Sequence, residues 1–218
     1  MSLQFGLTGP DSFDPNDYQK KVAAGAEALP IDLSLEYKIE PSLQVGNSCT
    51  GHSNAKLAQL VTAKATGFNI SYSANFSYLH NRKNPHHDRG AVMRDASLSL
   101  VKKGVCHHDI WPDHVAPVPV PESAAAVPAQ RCYKIPRMER VEHDPDLMCR
   151  ILSIEKLGIK CGRQIWESAM DEAFKSRAGM YPLDTAQTNF LGYHDELIIG
   201  WEIIDGLRWF KLAGSWGL

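Results

Sequence analysis

A short polar loop, Gln44-Val45-Gly46-Asn47-Ser48, delivers a thiol at Cys49. Leu57, Leu60, Val61 and Ala65 then recur at helical spacing, so Cys49 falls on the first turn of a helix, with Asn47 or Ser48 as its cap. A thiol there sits at the positive end of the helix dipole, which favours the thiolate, the nucleophilic form. Gln44, just upstream, carries an amide suited to stabilising an oxyanion formed beside that thiol. The same window also describes a buried core cysteine, because free Cys is among the most buried residue types. Taken alone it leaves both readings open.

Other chemistry-bearing residues read more plainly. His86-His87 and His107-His108 are adjacent pairs, whose side chains usually diverge, and no partner stands at zinc spacing, so no metal and no cofactor is expected. His52 reads as a residue on a helix face. Asp144-Pro145-Asp146 reads as a helix start, with a cap and a proline at the first position, and not as a carboxylate dyad. The five cysteines, Cys49, Cys106, Cys132, Cys149 and Cys161, include no Cys-x-x-Cys pair. An odd number without an apolar signal-peptide core predicts reduced thiols and a cytoplasmic setting.

Composition bounds the rest. The chain has 218 residues, 44% hydrophobic, with a formal net charge of -2. That supports a single domain with a real core, or one built as two lobes. A near-neutral chain without a basic patch predicts no nucleic-acid partner, and the lack of any long apolar run predicts no membrane span. A monomer is expected.

The elements that must position these residues follow in order. Residues 1–28 read as an arm rich in turn formers, with a short helix over 18–28. Residues 29–34 read as an extended segment. The Cys49 helix should run to about Lys64 and end near Gly67. Further helices are expected over 74–82, capped by Ser73, and over 93–103, stopped by Gly104. Residues 112–128 are rich in Pro and Ala and read as an irregular crossing strap. A helix opens at Asp144, and a buried strand is expected over 157–166. Residues 197–204 and 207–213 flank Asp205-Gly206, a strong hairpin signal for a type I′ turn. Helices first and strands later make an α+β fold. An unbulged hairpin would set His194 opposite Gly217, so residues 214–217 should run beside His194.

In this order the motifs resemble the papain superfamily of cysteine peptidases, in particular its bacterial and viral members without disulfides. Asn47-Ser48-Cys49-Thr50-Gly51 resembles the nucleophile motif. Arg94-Asp95-Ala96, Gly104-Val105-Cys106 and Trp111-Pro112 resemble the segment that follows. Gly158-Ile159 and Trp166-Glu167-Ser168 resemble the strand opening the β lobe. Gly192-Tyr193-His194 with Leu197-Ile198-Ile199-Gly200-Trp201 resembles the stretch around the catalytic histidine. Ser215-Trp216-Gly217 resembles Asn-Ser-Trp-Gly.

The resemblance implies a two-lobe fold with the active-site cleft between a helical lobe, about 29–128, and an antiparallel β lobe, about 129–218. It implies that Cys49 attacks a peptide or isopeptide carbonyl, that His194 shuttles the proton, and that water releases the acyl-enzyme. Gly192, Tyr193 and Trp216 are then expected on the substrate side, Trp216 as a shield over the site. The partner is a peptide or protein substrate.

Two departures bear on activity. Gln44 lies one residue closer to the cysteine than the family's glutamine. Gly214 stands where the family has the asparagine that orients the histidine, which implies a weakened site. Glu196, on the same strand face as His194, is the expected substitute, and Gly214→Asn is expected to raise activity. The departures also admit a catalytically impaired peptide- or protein-binding module. The shared acyl-enzyme chemistry admits an acyltransferase or cyclase acting on a thioester.

Overall fold

The computed structural model describes residues 19–20, 22, 27–84, 86–113, 127–167 and 189–216. Most of the helix expected over 18–28, most of the Pro-rich strap, Ser168 and Gly217 lie outside them; where that helix was expected to begin, Gln19 instead forms a parallel bridge with Arg140.

The first elements are β1 (Ile31–Asp32) and α1 (Leu33–Tyr37). The extended segment expected over 29–34 is therefore shorter than its composition suggests. Asp32 accepts the Ser34 N–H at 2.9 Å, which caps α1 and starts the helix at Leu33. Next comes α2 (Cys49–Thr66), closed by Gly67 at φ 76°. Then α3 (Ala74–Leu79) is capped by the Ser73 hydroxyl, which accepts the Phe76 N–H at 3.0 Å. It ends sooner than expected, since His80 closes it through bonds back to residues 76 and 78. Helix α4 (Met93–Lys102) leads into β2 (Val105–Cys106), which pairs antiparallel with β3 (Cys132–Tyr133). Helix α5 (Pro145–Ser153) starts at Asp144, whose carboxylate accepts the Asp146 N–H at 2.9 Å.

The sheet consists of β4 (Ile159–Trp166), β5 (Phe190–Ile204) and β6 (Leu207–Ala213), joined by β1. Strand β5 is central. Leu197 pairs with both Lys160 and Ala213, and Trp201 with both Ile31 and Phe210. Hence β6 lines one edge of β5, while β4 and β1 share the other. Only Ile159 and Ile165 of β4 are buried, so where a buried strand was expected it is a half-buried one.

The hairpin turn has Asp205 at φ 52° and Gly206 at φ 76°, as a type I′ turn requires. Pairing runs unbulged from Ile204↔Leu207 to Gly200↔Lys211, then slips one residue to Ile198↔Leu212 and Leu197↔Ala213. Extended past Ala213, the slipped register would set Trp216, in place of the expected Gly217, opposite His194. One core joins both halves: Leu33, Leu57, Leu60, Leu100 and Leu152 from the helices meet Leu197, Ile199 and Trp201 from β5. Helix α2 packs directly on β5, so the element that begins at Cys49 lies against the strand that carries His194.

Candidate active site

The loop before Cys49 is shaped by Asp88. Its carboxylate accepts the Asn47 N–H at 3.0 Å, its carbonyl accepts the Asn47 side-chain amide at 2.8 Å, and it also takes the Tyr78 hydroxyl. Gly46 has φ 72°, and a Cβ there would stand 2.4 Å from Asp88 Oδ2, so glycine is required twice over. Ser48 occupies the cap position, but its hydroxyl donates back to the Val45 carbonyl at 3.0 Å. Its carbonyl instead accepts the Gly51 and His52 N–H groups at 2.9 and 3.1 Å. Cys49 is the first residue of α2 and is fully buried.

His194 arrives from the other side, fully buried on β5. Its ring stacks on Trp216 with centroids 4.0 Å apart and planes 26° apart. Nε2 lies 3.9 Å from Glu196 Oε1, beyond hydrogen-bond range, and among the described residues neither ring nitrogen has a hydrogen-bond partner. Burial, aided by the Arg163 and Lys56 cations, pulls its pKa down to about 3, so the resting imidazole is neutral. A thiolate at Cys49 would act in the opposite sense and favour the imidazolium.

Residues 214–216 tie the two sides together. Leu43 forms a β-bridge with Trp216, and the Gln44 N–H donates to the Ser215 carbonyl at 2.7 Å. The Ser215 hydroxyl donates to Gln44 Oε1 at 2.6 Å, while Gln44 Nε2 donates to the Gly46 carbonyl at 3.1 Å. Lys56, two turns along α2 from Cys49, donates its ammonium to the Gly214 carbonyl. Trp216 thus touches the Cys49 loop through Leu43 and the His194 ring through its own indole.

A buried charge cluster underlies this arrangement. Glu196 accepts from Arg163 Nε on β4. Asp195 points to the opposite face, 3.2 Å from Lys160 Nζ, and Lys160 also donates to Asn54 Oδ1 at 2.5 Å. Burial raises the Asp195 pKa to about 6 against the pull of Lys160 and Ser53. Burial lowers Lys56 to about 8, with Glu196 opposing. His52 is bonded through Nδ1 to the Ser42 hydroxyl at 2.9 Å and held neutral, near 3, by burial, Lys56 and His194. A cavity of about 390 Å³ opens on this His52–Lys56 side of α2, with Lys38, Glu40 and Asp113 among its walls. Among the residues that line it there is neither Cys49 nor His194.

By sequence the chain matches no family model and no curated protein. By structure it is similar to xylellain, a cysteine protease from Xylella fastidiosa, at TM-score 0.77 and 24% identity, over 98% of this chain and 84% of that one. It is also similar to procathepsin B S9 from Trypanosoma congolense, at TM-score 0.71 and 13% identity, over 98% of this chain and 76% of that one. A third neighbour is the digestive procathepsin L 3 of Tenebrio molitor larval midgut, at TM-score 0.67 and 12% identity, over 93% and 65% of the two chains. The chain has the papain-like fold.

Within that fold the residues singled out by sequence divide into groups. Gln44, His194, Glu196 and Trp216 gather around Ser215 and Gly214. Gly192 and Tyr193 lie beside His194 on β5, opposite Ile165 and Gln164 of β4, with the Tyr193 ring edge-on to Phe190 at 5.1 Å. Sequence reasoning missed Lys56, Arg163 and the Asp195–Lys160 pair. A signal existed for Lys56. His52 and Lys56 are a turn apart on the face that begins at Cys49, where a core-packed helix would carry apolar residues.

Proposed function

We propose that the chain is a cysteine peptidase that cleaves peptide or isopeptide bonds, with residues 29–218 as its catalytic unit. The Cys49 thiolate adds to the carbonyl carbon, and the oxyanion that forms is met by the Cys49 N–H and the Gln44 carboxamide. His194, protonated when the thiol ionises, passes that proton to the leaving amine. The C–N bond breaks and a thioester to Cys49 remains. Water loses a proton to His194, attacks the thioester and frees the acid, and the thiol is restored. Glu196 acts as a positioning residue: a small ring movement brings its carboxylate to the imidazole N–H and selects the working tautomer.

The observation that supports this reading is the double engagement of Trp216, bridged to Leu43 of the nucleophile loop and stacked on His194. A second reading, a papain-fold module that binds peptides without cleaving them, draws on the full burial of both Cys49 and His194.

The two are separated by incubating wild type and Cys49→Ala with a pool of internally quenched peptides while intact mass is followed. Turnover and an acyl adduct on Cys49, both absent in the variant, support the peptidase. Peptide binding of equal strength in both proteins, with no turnover, supports the module.

A further inference from the structure

Cys106 and Cys132 face each other directly across the β2–β3 ladder, and both thiols are free. Residues directly opposite on antiparallel strands send their side chains to the same face. The kind of pairing follows from the backbone. The Cys106 carbonyl accepts the Ser73 N–H at 2.9 Å, alongside the Tyr72↔His107 bridge. In an extended strand a residue's N–H and C=O point to one edge, so the polar edge of Cys106 is turned to residues 71–73 and away from β3. Its pairing with Cys132 is therefore of the non-hydrogen-bonded kind. Such pairs bring Cα atoms to roughly 4.5 Å, inside the ~4.4–6.8 Å that a disulfide spans. The strands approach closely here: a Cβ on Gly104 would stand 2.4 Å from the Tyr133 carbonyl. Cys106 is buried and Cys132 is partly exposed, so one thiol meets solvent and the other lies behind it.

From this juxtaposition we infer that Cys106 and Cys132 form a disulfide site, closed by exchange with a small-molecule disulfide such as oxidised glutathione. The Cys132 thiolate attacks one glutathione sulfur, and the first glutathione leaves as its thiol. The Cys106 thiolate then attacks the Cys132 sulfur, and the second glutathione leaves. Two protein thiols and one glutathione disulfide become one protein disulfide and two glutathione thiols, so atoms and electrons balance. Burial raises the pKa of both thiols, Cys106 to about 12, so closure is slow near neutrality and faster at alkaline pH. The bridge ties β3, where the chain leads to the core residue Ile135, to the strand that ends the α4 connection. It lies apart from Cys49 and does not depend on the peptidase reading.

The test is equilibration of the full chain in reduced and oxidised glutathione mixtures. An acid quench, alkylation in denaturant and peptide mapping without reductant then follow. The expected product is a peptide pair joined through Cys106 and Cys132, lighter by two hydrogens, cleaved by dithiothreitol and absent from Cys132→Ser. The oxidised wild type should melt higher than the reduced protein, because the cross-link restricts the unfolded chain. Cys132→Ser alters the partly exposed partner, which leaves the core intact, and should melt alike in both mixtures. Glutathione held on Cys132 with Cys106 still alkylated, or bridges that pass only through Cys49, Cys149 or Cys161, would overturn the inference.

Discussion

Gly214 stands opposite Glu196, in the register set by Leu197↔Ala213, and a Cβ at 214 would lie 3.2 Å from Glu196 Oε1. The glycine makes room for the carboxylate. Glu196 cannot easily yield, because Arg163 holds its other oxygen. The sequence expectation that Gly214→Asn raises activity is therefore revised. Asparagine at 214 alone should crowd Glu196 and lower kcat, and Gly214→Asn combined with Glu196→Ala should recover part of the loss. Glu196→Gln keeps the shape but not the charge. It should lower kcat by roughly 10–100-fold with little change in KM, less than the whole contribution of a general base. Steady-state kinetics on the three variants checks this, and a Glu196→Gln enzyme with unchanged kcat would remove Glu196 from the site.

Much of this was legible beforehand. The Cys49 helix, the Ser73 and Asp144 caps and the Asp205-Gly206 turn each follow from local chemistry, and local chemistry is written in neighbouring residues. The register at His194 was not, because a bulge between Ile198 and Gly200 depends on how β5 packs and not on the turn. Glu196 beside His194 was legible from the period of the strand. Its partner Arg163 was not, since the pairing crosses from β4, and no short-range pattern records which strands become neighbours. Lys56 was hidden by an ordinary assumption: a lysine on a helix is usually solvated, yet this one is 4% exposed.

Gly51 carries a prediction for the helix that begins at Cys49. A Cβ there would stand 2.2 Å from the Ala74 carbonyl and 2.9 Å from Tyr78 Cβ, so α2 and α3 meet through this residue. Alanine favours a helix by about 1 kcal/mol over glycine. Here overpacking against backbone opposes it, at about 1–3 kcal/mol. Gly51→Ala should lower stability in urea unfolding and displace Cys49, reducing activity further than stability alone explains. A more stable, fully active variant would show that the helices can separate at no cost.

Lys56 bears on the proton held by His194. Its ammonium disfavours the imidazolium, as does Arg163. In a Cys49→Ala background, which removes the thiolate, His194 should titrate near 3 by imidazole NMR. Lys56→Met in the same background should move that titration upward. An unmoved titration would mean that Lys56 only anchors the Gly214 carbonyl.

Acid stability follows from the two buried histidines. His52 and His194 each fall from 6.5 to about 3 on folding, so between those values the unfolded chain binds more protons. Stability contributed by neutral burial is full above 6.5 and is lost as pH falls toward 3, at up to about 1.4 kcal/mol per pH unit for each proton. Asp195 works the other way, since its rise from 3.8 to about 6 lets the folded state bind the extra proton in that window. Two protons against one leave a net loss. In Cys49→Ala, where no thiolate holds a proton on His194, urea midpoints should drop steadily from pH 6.5 downward, with a smaller drop when His52→Asn is added. A flat profile over that range would contradict the buried neutral histidines.

In the proposed mechanism Cys49 and His194 work as a pair. The direct measurement is the rate of Cys49 alkylation by iodoacetamide from about pH 4 to about pH 9, read by peptide mapping in wild type and His194→Ala. A working pair predicts fast labelling that persists well below the free-thiol pKa of about 8.5 and is lost in the variant. Slow labelling that follows an ordinary thiol titration, and is the same in both proteins, would contradict it.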